Sequence, residues 1–570
     1  MCPAVRADVT LRPSHPSPWQ VGGIVTWTAT PSTGDTAAYW YRFRVRPVGS
    51  VFRIGKDFGP ENTFEWTSSG DGTFEIEAAA RNKQSGDTSV ARARFVEQSN
   101  AAPGFPGLVQ TSHPLVLLYS AAPCEPGSRM KVRFRSADGV TQETPYKPCV
   151  AGVSMNFYLA GLTPESQYSA FHTIDTGDAF QDGPVVTQPT RGVPDLPPSS
   201  VLQAAPAGAR NPIVLLENVF ANPVAVNLSA KVVWYYPGTL SFMTRPAGGG
   251  NFFGIYQDPS GDPWRQVVRE FDLTGLTLRE TNAGRVNEQL AAMGKHAITS
   301  FHHEALALPD GAIAVLGSVE QVLTGVQATG AVDVVGDMLL VLDRDLQVVW
   351  TWDTFDHLDA HRRATLEDQC APGVCPPLTL GSTANDWTHA NAIFPTTDGN
   401  FLVSLRNQDW IVKINYDSGE GDGGVIWRLG KDGDFRLNST DPAGWFSHQH
   451  DPQFEPVSAT RLMILDNGNL RRDTNPAANS RGQVLELDEQ ARAATLAYNA
   501  DLGMYSFALG ATEKLPNGNY WFVAGFLADA SGVSEELDAT GKPVFALRTA
   551  APVYRSYRLA SMYATERPER

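Results

Sequence analysis

Short runs that alternate apolar and polar residues fill the first hundred positions: "GGIVTWTATP", "YWYRFRVRP", "GTFEIEAAARN" and "SVARARFVEQ". Clusters of turn-forming residues, "PSTGD", "SSGDG" and "KQSGD", separate them. A period of two places successive side chains on opposite faces, and frequent Gly, Pro and Asp break the runs early. Short antiparallel strands follow, so residues 1–98 are read as an immunoglobulin-like β-sandwich.

Residues 101–195 repeat the texture in "LVLLYSAA", "RMKVRFRS" and "GLTPESQYSAFHTID". Here "LTPESQY" resembles the corner before a late strand of fibronectin type III domains, and a second sandwich of that type is expected. The Pro-rich "VPDLPPSS" then reads as a linker. From about residue 200 the strands begin to repeat. "HEALALPDGAIAVL", "HANAIFPTTDGNFLV", "HDPQFEPVSATRLMIL" and "GATEKLPNGNYWFV" align, each with a proline six residues after its first position: Pro309, Pro395, Pro456 and Pro516. Strand–turn–strand pieces such as "LLVLDRDLQVVWTWD" and "IVKINYDSGEGDGGVIWRLG" follow later in the units. Self-similar four-stranded units predict a β-propeller, and six blades fit residues 200–570. The expected fold is all-β: two sandwiches, then a six-bladed propeller.

The first position of that alignment is His303, His389 and His450 in three successive units. Equivalent positions of propeller blades converge on the axis, so three imidazoles are expected at one channel mouth. Arg406, in "VSLRNQDW", lies on the strand after His389, and Asn391 shares a strand face with His389. Imidazole is a nucleophile and general base near neutral pH, and its cation is an acid. A guanidinium offers a planar fork of donors to sulfate or phosphate oxygens. Strand capping and a three-histidine zinc site are the alternatives. His302 is expected on the opposite face from His303, and His448 in the loop before His450; both are secondary candidates for substrate contact. His15, His113, His172, His296, His357 and His361 are expected at the surface or in loops.

The net charge of −16 excludes a nucleic-acid partner, which needs a cationic face. No apolar run is long enough for a transmembrane helix. Cys124 with Cys149, and Cys370 with Cys375, are expected to form disulfides in an oxidising compartment. That leaves Cys2 unpaired, in a position suited to a lipid anchor. The expected location is periplasmic or extracellular.

"DWTHANAIFPTTDGNFLVSLRNQDWIVKINYDSGEGDGGVIWRLG", then "FSHQHDPQF" and "MILDNGNLRRD", resembles the bacterial arylsulfate sulfotransferase family. "FHHEALALPDG" and "VYRSYRLASMY" fit as well, and the resemblance covers roughly 200–570. It implies a six-bladed propeller that moves a sulfuryl group from a phenolic sulfate donor to a phenolic acceptor. It implies no nucleotide donor, cofactor or metal. By the same resemblance His450 is the nucleophile, His303 and His389 are the other active-site histidines, and Arg406 and Asn391 bind the anion. His448 is an imidazole extra to the family pattern. A hydrolase, or a propeller that binds ligands without chemistry, is the alternative.

Overall fold

The computed structural model describes residues 8–371 and 376–563. Cys2, with the expected anchor, and Cys375, with the expected second bridge, lie outside these. The described residues form an all-β chain with three short α-helices.

Antiparallel units of four strands succeed one another from residue 213 onward, and further strands extend four of the six sheets they form. The first joins Ile213–Asn218, Val224–Asn227 and Val232–Tyr235 to Val553–Leu559, from the far end of the chain. The second contains Phe242–Gly248 to Thr277–Asn282, the third Phe301–Ala307 to Val348–Asp353, and the fourth Ala390–Pro395 to Val425–Gly430. The fifth runs from His450–Phe454 to Ala493–Asp501 and the sixth from Thr512–Lys514 to Pro543–Thr549, with Ser199–Gln203 added at its edge. The aligned repeats of the sequence are the first two strands of the third to sixth sheets.

Face-to-face packing explains why some strands lose the alternating pattern. Phe401–Leu405 and Trp410–Ile414 are buried at every position. One face of their sheet packs on Leu316, Leu339 and Val341 of the third, and the other on Leu462, Ile464 and Leu485 of the fifth. Every consecutive pair of sheets shares such a core. The sixth and first share one too, through Trp521, Val523, Val214 and Val226. The first strands of the second to sixth sheets lie side by side in chain order.

N-terminal to these sheets, Trp27, Tyr41, Phe43, Ile76 and Phe95 fill one core between two sheets. Tyr119, Val132, Phe134, Phe157 and Tyr168 fill another. The first of these units is continuous with the second sheet: Lys56 pairs with Glu280, and Trp40 stacks on Trp264 at 4.0 Å. His113, expected near the surface, is 1% exposed. Its Nε2 lies 2.8 Å from the Tyr235 carbonyl, and its ring stacks beside Trp234, so it joins the second unit to the first sheet.

Cys124 and Cys149 form a disulfide across a separation of 25 residues. Closing a loop of that size removes unfolded-state entropy equivalent to about 3 kcal/mol. Cys124→Ala/Cys149→Ala should therefore lower the unfolding free energy of this unit by about that amount, read from urea denaturation followed by near-ultraviolet circular dichroism.

Candidate active site

The strands that carry the three aligned histidines share a local irregularity. The register shifts between His302 and Ala305, between Ala390 and Ala392, and between His450 and Gln453. His303, His389 and Asp451 have positive φ, at 54°, 49° and 48°. Branchless glycine would sit there without strain, so these residues are held in place by their surroundings. A bulge re-aims the side chain it carries, and here it turns imidazoles toward one another. The ring centroids of His303 and His389 are 5.0 Å apart.

The bulge also corrects the expectation for His302. A regular strand would send it to the opposite face from His303, but its Nδ1 lies 2.9 Å from the Nδ1 of His303. His448 is in the loop before its strand, as its position suggested. It is fully buried, with Nδ1 3.0 Å from Asp409 Oδ1 and Nε2 3.3 Å from Asp368 Oδ2.

Hydrogen bonds fix the state of His450. Asn467 Nδ2 donates to the carbonyls of Ser506 and Leu509, which leaves Asn467 Oδ1 as an acceptor. His450 Nδ1 lies 2.7 Å from that oxygen and must donate to it. Nε2 is therefore the unprotonated nitrogen, and its lone pair accepts the Leu509 amide at 3.2 Å. Burial, then the Arg406 guanidinium, with His389 and Arg555 adding to them, hold His450 well below the usual imidazole range; Asn467 only partly offsets this. The ring is neutral at neutral pH.

His389 is held differently. Its Nδ1 lies 2.5 Å from Asp386 Oδ2. Burial would raise the Asp386 carboxyl, but His389 overrides it and keeps the group below the usual carboxylate range. A carboxylate in that position fixes the orientation of the ring and which of its nitrogens faces the cavity. Asp386→Asn should lower turnover by about 10²-fold with little change in KM, as measured by steady-state kinetics.

Arg406 is 7% exposed. One Nη donates to Asn407 Oδ1 at 2.6 Å and the other to the Phe507 carbonyl at 3.4 Å, while Asp368 Oδ1 stands 3.5 Å away. Burial raises the Asp368 carboxyl, yet His448 and Arg406 bring it down to about 2. Asn391 is fully buried, its Nδ2 donating to the Gln449 carbonyl at 2.8 Å. Its own carbonyl accepts from Tyr554 Oη at 2.7 Å and Arg555 at 2.9 Å. A cleft of about 1610 Å³ lies elsewhere, between the second N-terminal unit and the first sheet, and contains none of these groups.

The arrangement pairs a neutral, oriented imidazole with a buried guanidinium and a carboxylate-backed imidazole. The family model "Arylsulfotransferase (ASST)" matches residues 199–558, more than half of the chain and the part that holds every one of these groups. The chain belongs to the arylsulfotransferase family. Membership indicates an arylsulfate sulfotransferase enzyme and implies small aryl substrates. No curated protein matches it. The crystal structure of chicken CNTN1 FN1-FN3 domains is similar over 32% of this chain and 66% of that one, just under two thirds, at 16% identity and a TM-score of 0.14. A likeness that weak carries no argument. No helix of this arylsulfotransferase, among the described residues, is long and apolar enough to cross a membrane. That, with the disulfide, is compatible with an exported protein.

Four groups of the arylsulfotransferase site went unassigned in the sequence: Asp386, Asn467, Asp368 and Asp337, whose Oδ1 lies 3.1 Å from His302 Nε2. Asp386 opens the "DWTHAN" stretch and Asn467 sits in "LDNGN", so both stood inside quoted motifs. Asp337 and Asp368 carried no comparable signal.

Proposed function

We propose that this arylsulfotransferase moves a sulfuryl group from a phenolic sulfate ester to a second phenol through a sulfohistidine at His450, in a ping-pong sequence without a nucleotide donor. The observation that carries the reading is the fixed tautomer of His450, with Nδ1–H on Asn467 and an unprotonated Nε2 whose lone pair meets the Leu509 amide, a contact that yields to the incoming sulfur. The neutral Nε2 attacks sulfur in line. The N–S bond forms as the S–O bond to the phenol breaks, and the leaving oxygen takes a proton from a neighbouring imidazole, His303 or His389. Arg406 and Asn391 hold the sulfuryl oxygens while charge redistributes. His302 and His448 act from behind, on His303 and on Asp368. A second phenol then loses its proton to the site and takes the sulfuryl group, which restores His450.

The same reading organises the chain as two N-terminal sandwiches, 1–98 and 101–195, and a six-bladed propeller over 200–570. The consecutive shared cores and the side-by-side first strands support it. A periplasmic or extracellular location, with an anchor at Cys2, completes it. The test is incubation with 4-nitrophenyl sulfate, with and without a second phenol. Nitrophenol release that requires the second phenol, with a one-sulfuryl mass gain on the His450 peptide when donor is given alone, supports the reading. Steady release without any acceptor supports hydrolysis instead.

A further inference from the structure

We propose that Asp337 and His302 form a proton store behind His303: the proton that leaves with the first phenol comes from this pair, and the proton of the second phenol returns to it. The proposal rests on the sulfuryl-transfer reading above and adds two positioning residues to it.

The geometry has two halves. In front, the Nδ1 atoms of His302 and His303 face each other at 2.9 Å. Two lone pairs cannot meet at that distance, so one proton lies between them. Behind, His302 Nε2 is sealed from solvent, 3.1 Å from Asp337 Oδ1, at an angle too bent for a straight hydrogen bond. Asp337 is itself oriented, since its Oδ2 accepts the Ala390 amide at 2.7 Å and the Thr388 hydroxyl. Both donors come from the segment around His389. In the proposed store Asp337 is the counter-charge that His302 faces when it holds the second proton. With His302 neutral, its Nδ1 accepts from His303, and His303 Nε2 is left as a base. When a proton arrives at His303 Nε2, the Nδ1 proton crosses to His302, whose charge then faces Asp337.

His303 needs such help. Burial, then the neighbouring His389, His302, His450 and Arg555, hold its basicity well below that of an ordinary imidazole. Phe242 and Tyr554 pack against its ring at 4.8 and 5.6 Å. Glu304, the next residue, is engaged by Arg555 at 2.7 Å and Arg245 at 3.4 Å. Asp337 reaches His303 only through His302.

The protons balance over the cycle. In the donor half, the S–O bond breaks with its electron pair on oxygen. That oxygen takes the proton of His303 Nε2, and His303 Nδ1 draws the shared proton from His302. In the acceptor half, the phenol proton enters at His303 Nε2 and the shared proton returns to His302. The O–S bond forms, and the N–S electrons return to His450.

A stored proton matters most when the leaving phenol is a strong base. The donor half-reaction of His302→Gln is therefore compared with phenyl sulfate and with 4-nitrophenyl sulfate, whose phenol leaves without protonation. Phenyl sulfate should lose about 10²–10³-fold and 4-nitrophenyl sulfate less than about tenfold. Asp337→Asn, which keeps an acceptor for the Ala390 amide, gives an independent reading of the same ratio. A folded variant of either kind that loses both donors equally, or loses neither, overturns the store. Failure of the transfer reading itself would show separately, as a wild-type protein that releases phenol with no sulfuryl group on His450.

Discussion

His450→Asn should reduce transfer by about 10⁴-fold or more and abolish the sulfuryl mass gain on its peptide. The expectation follows from the hydrogen bonds of the ring. Asn467 fixes one nitrogen as a donor, so the other is the sole nucleophile the residue can present. An asparagine fits the volume and can still meet Asn467, which keeps the fold intact and isolates the chemistry. The wild-type pH profile provides a second readout. An ordinary imidazole loses its lone pair to a proton as pH falls through about 6.5. His450 is held well below that by burial and Arg406. The donor half-reaction should therefore keep its rate below pH 6.5, and an acid limb starting at the ordinary histidine value would contradict the burial seen here.

Arg406→Ala should lower kcat/KM by about 10²–10³-fold, the usual cost of removing one preorganised donor from a developing oxyanion. Arg406→Lys should recover only part of this, because an ammonium keeps the charge but loses the planar fork. Melting temperature must be followed alongside. Removing the guanidinium takes the donor from Asn407 Oδ1 and the arginine from beside Asp368, while the Phe507 carbonyl keeps its bond from Asn469 Nδ2. If Arg406→Ala kept a full rate with phenyl sulfate, the anion would be bound elsewhere.

The sequence made the repeat legible because its hydrophobic strands and prolines recur in register. It also placed His303 and His389 at one repeat position, and their rings meet. Partners across sheets were out of reach. Which carboxylate faces which imidazole depends on bulges and loop paths, and these leave no periodic signal. His302 shows the difficulty most sharply. Alternation along a regular strand sends it away from His303, and a single register shift reverses that. His113 shows a second limit: an isolated histidine in a sandwich reads as a surface residue, yet a backbone carbonyl of the first sheet makes burial affordable.

The strand Val553–Leu559 closes against Ile213–Asn218, from the opposite end of the matched region. Tyr554 and Arg555 on that strand donate to the Asn391 carbonyl, and Tyr554 packs on His303. A chain cut short before Tyr554 would carry every imidazole named above but lose the ring packed on His303 and both donors to the Asn391 backbone carbonyl. Catalytic competence thus waits for that strand, and a molecule halted or clipped before it stays silent toward aryl sulfates.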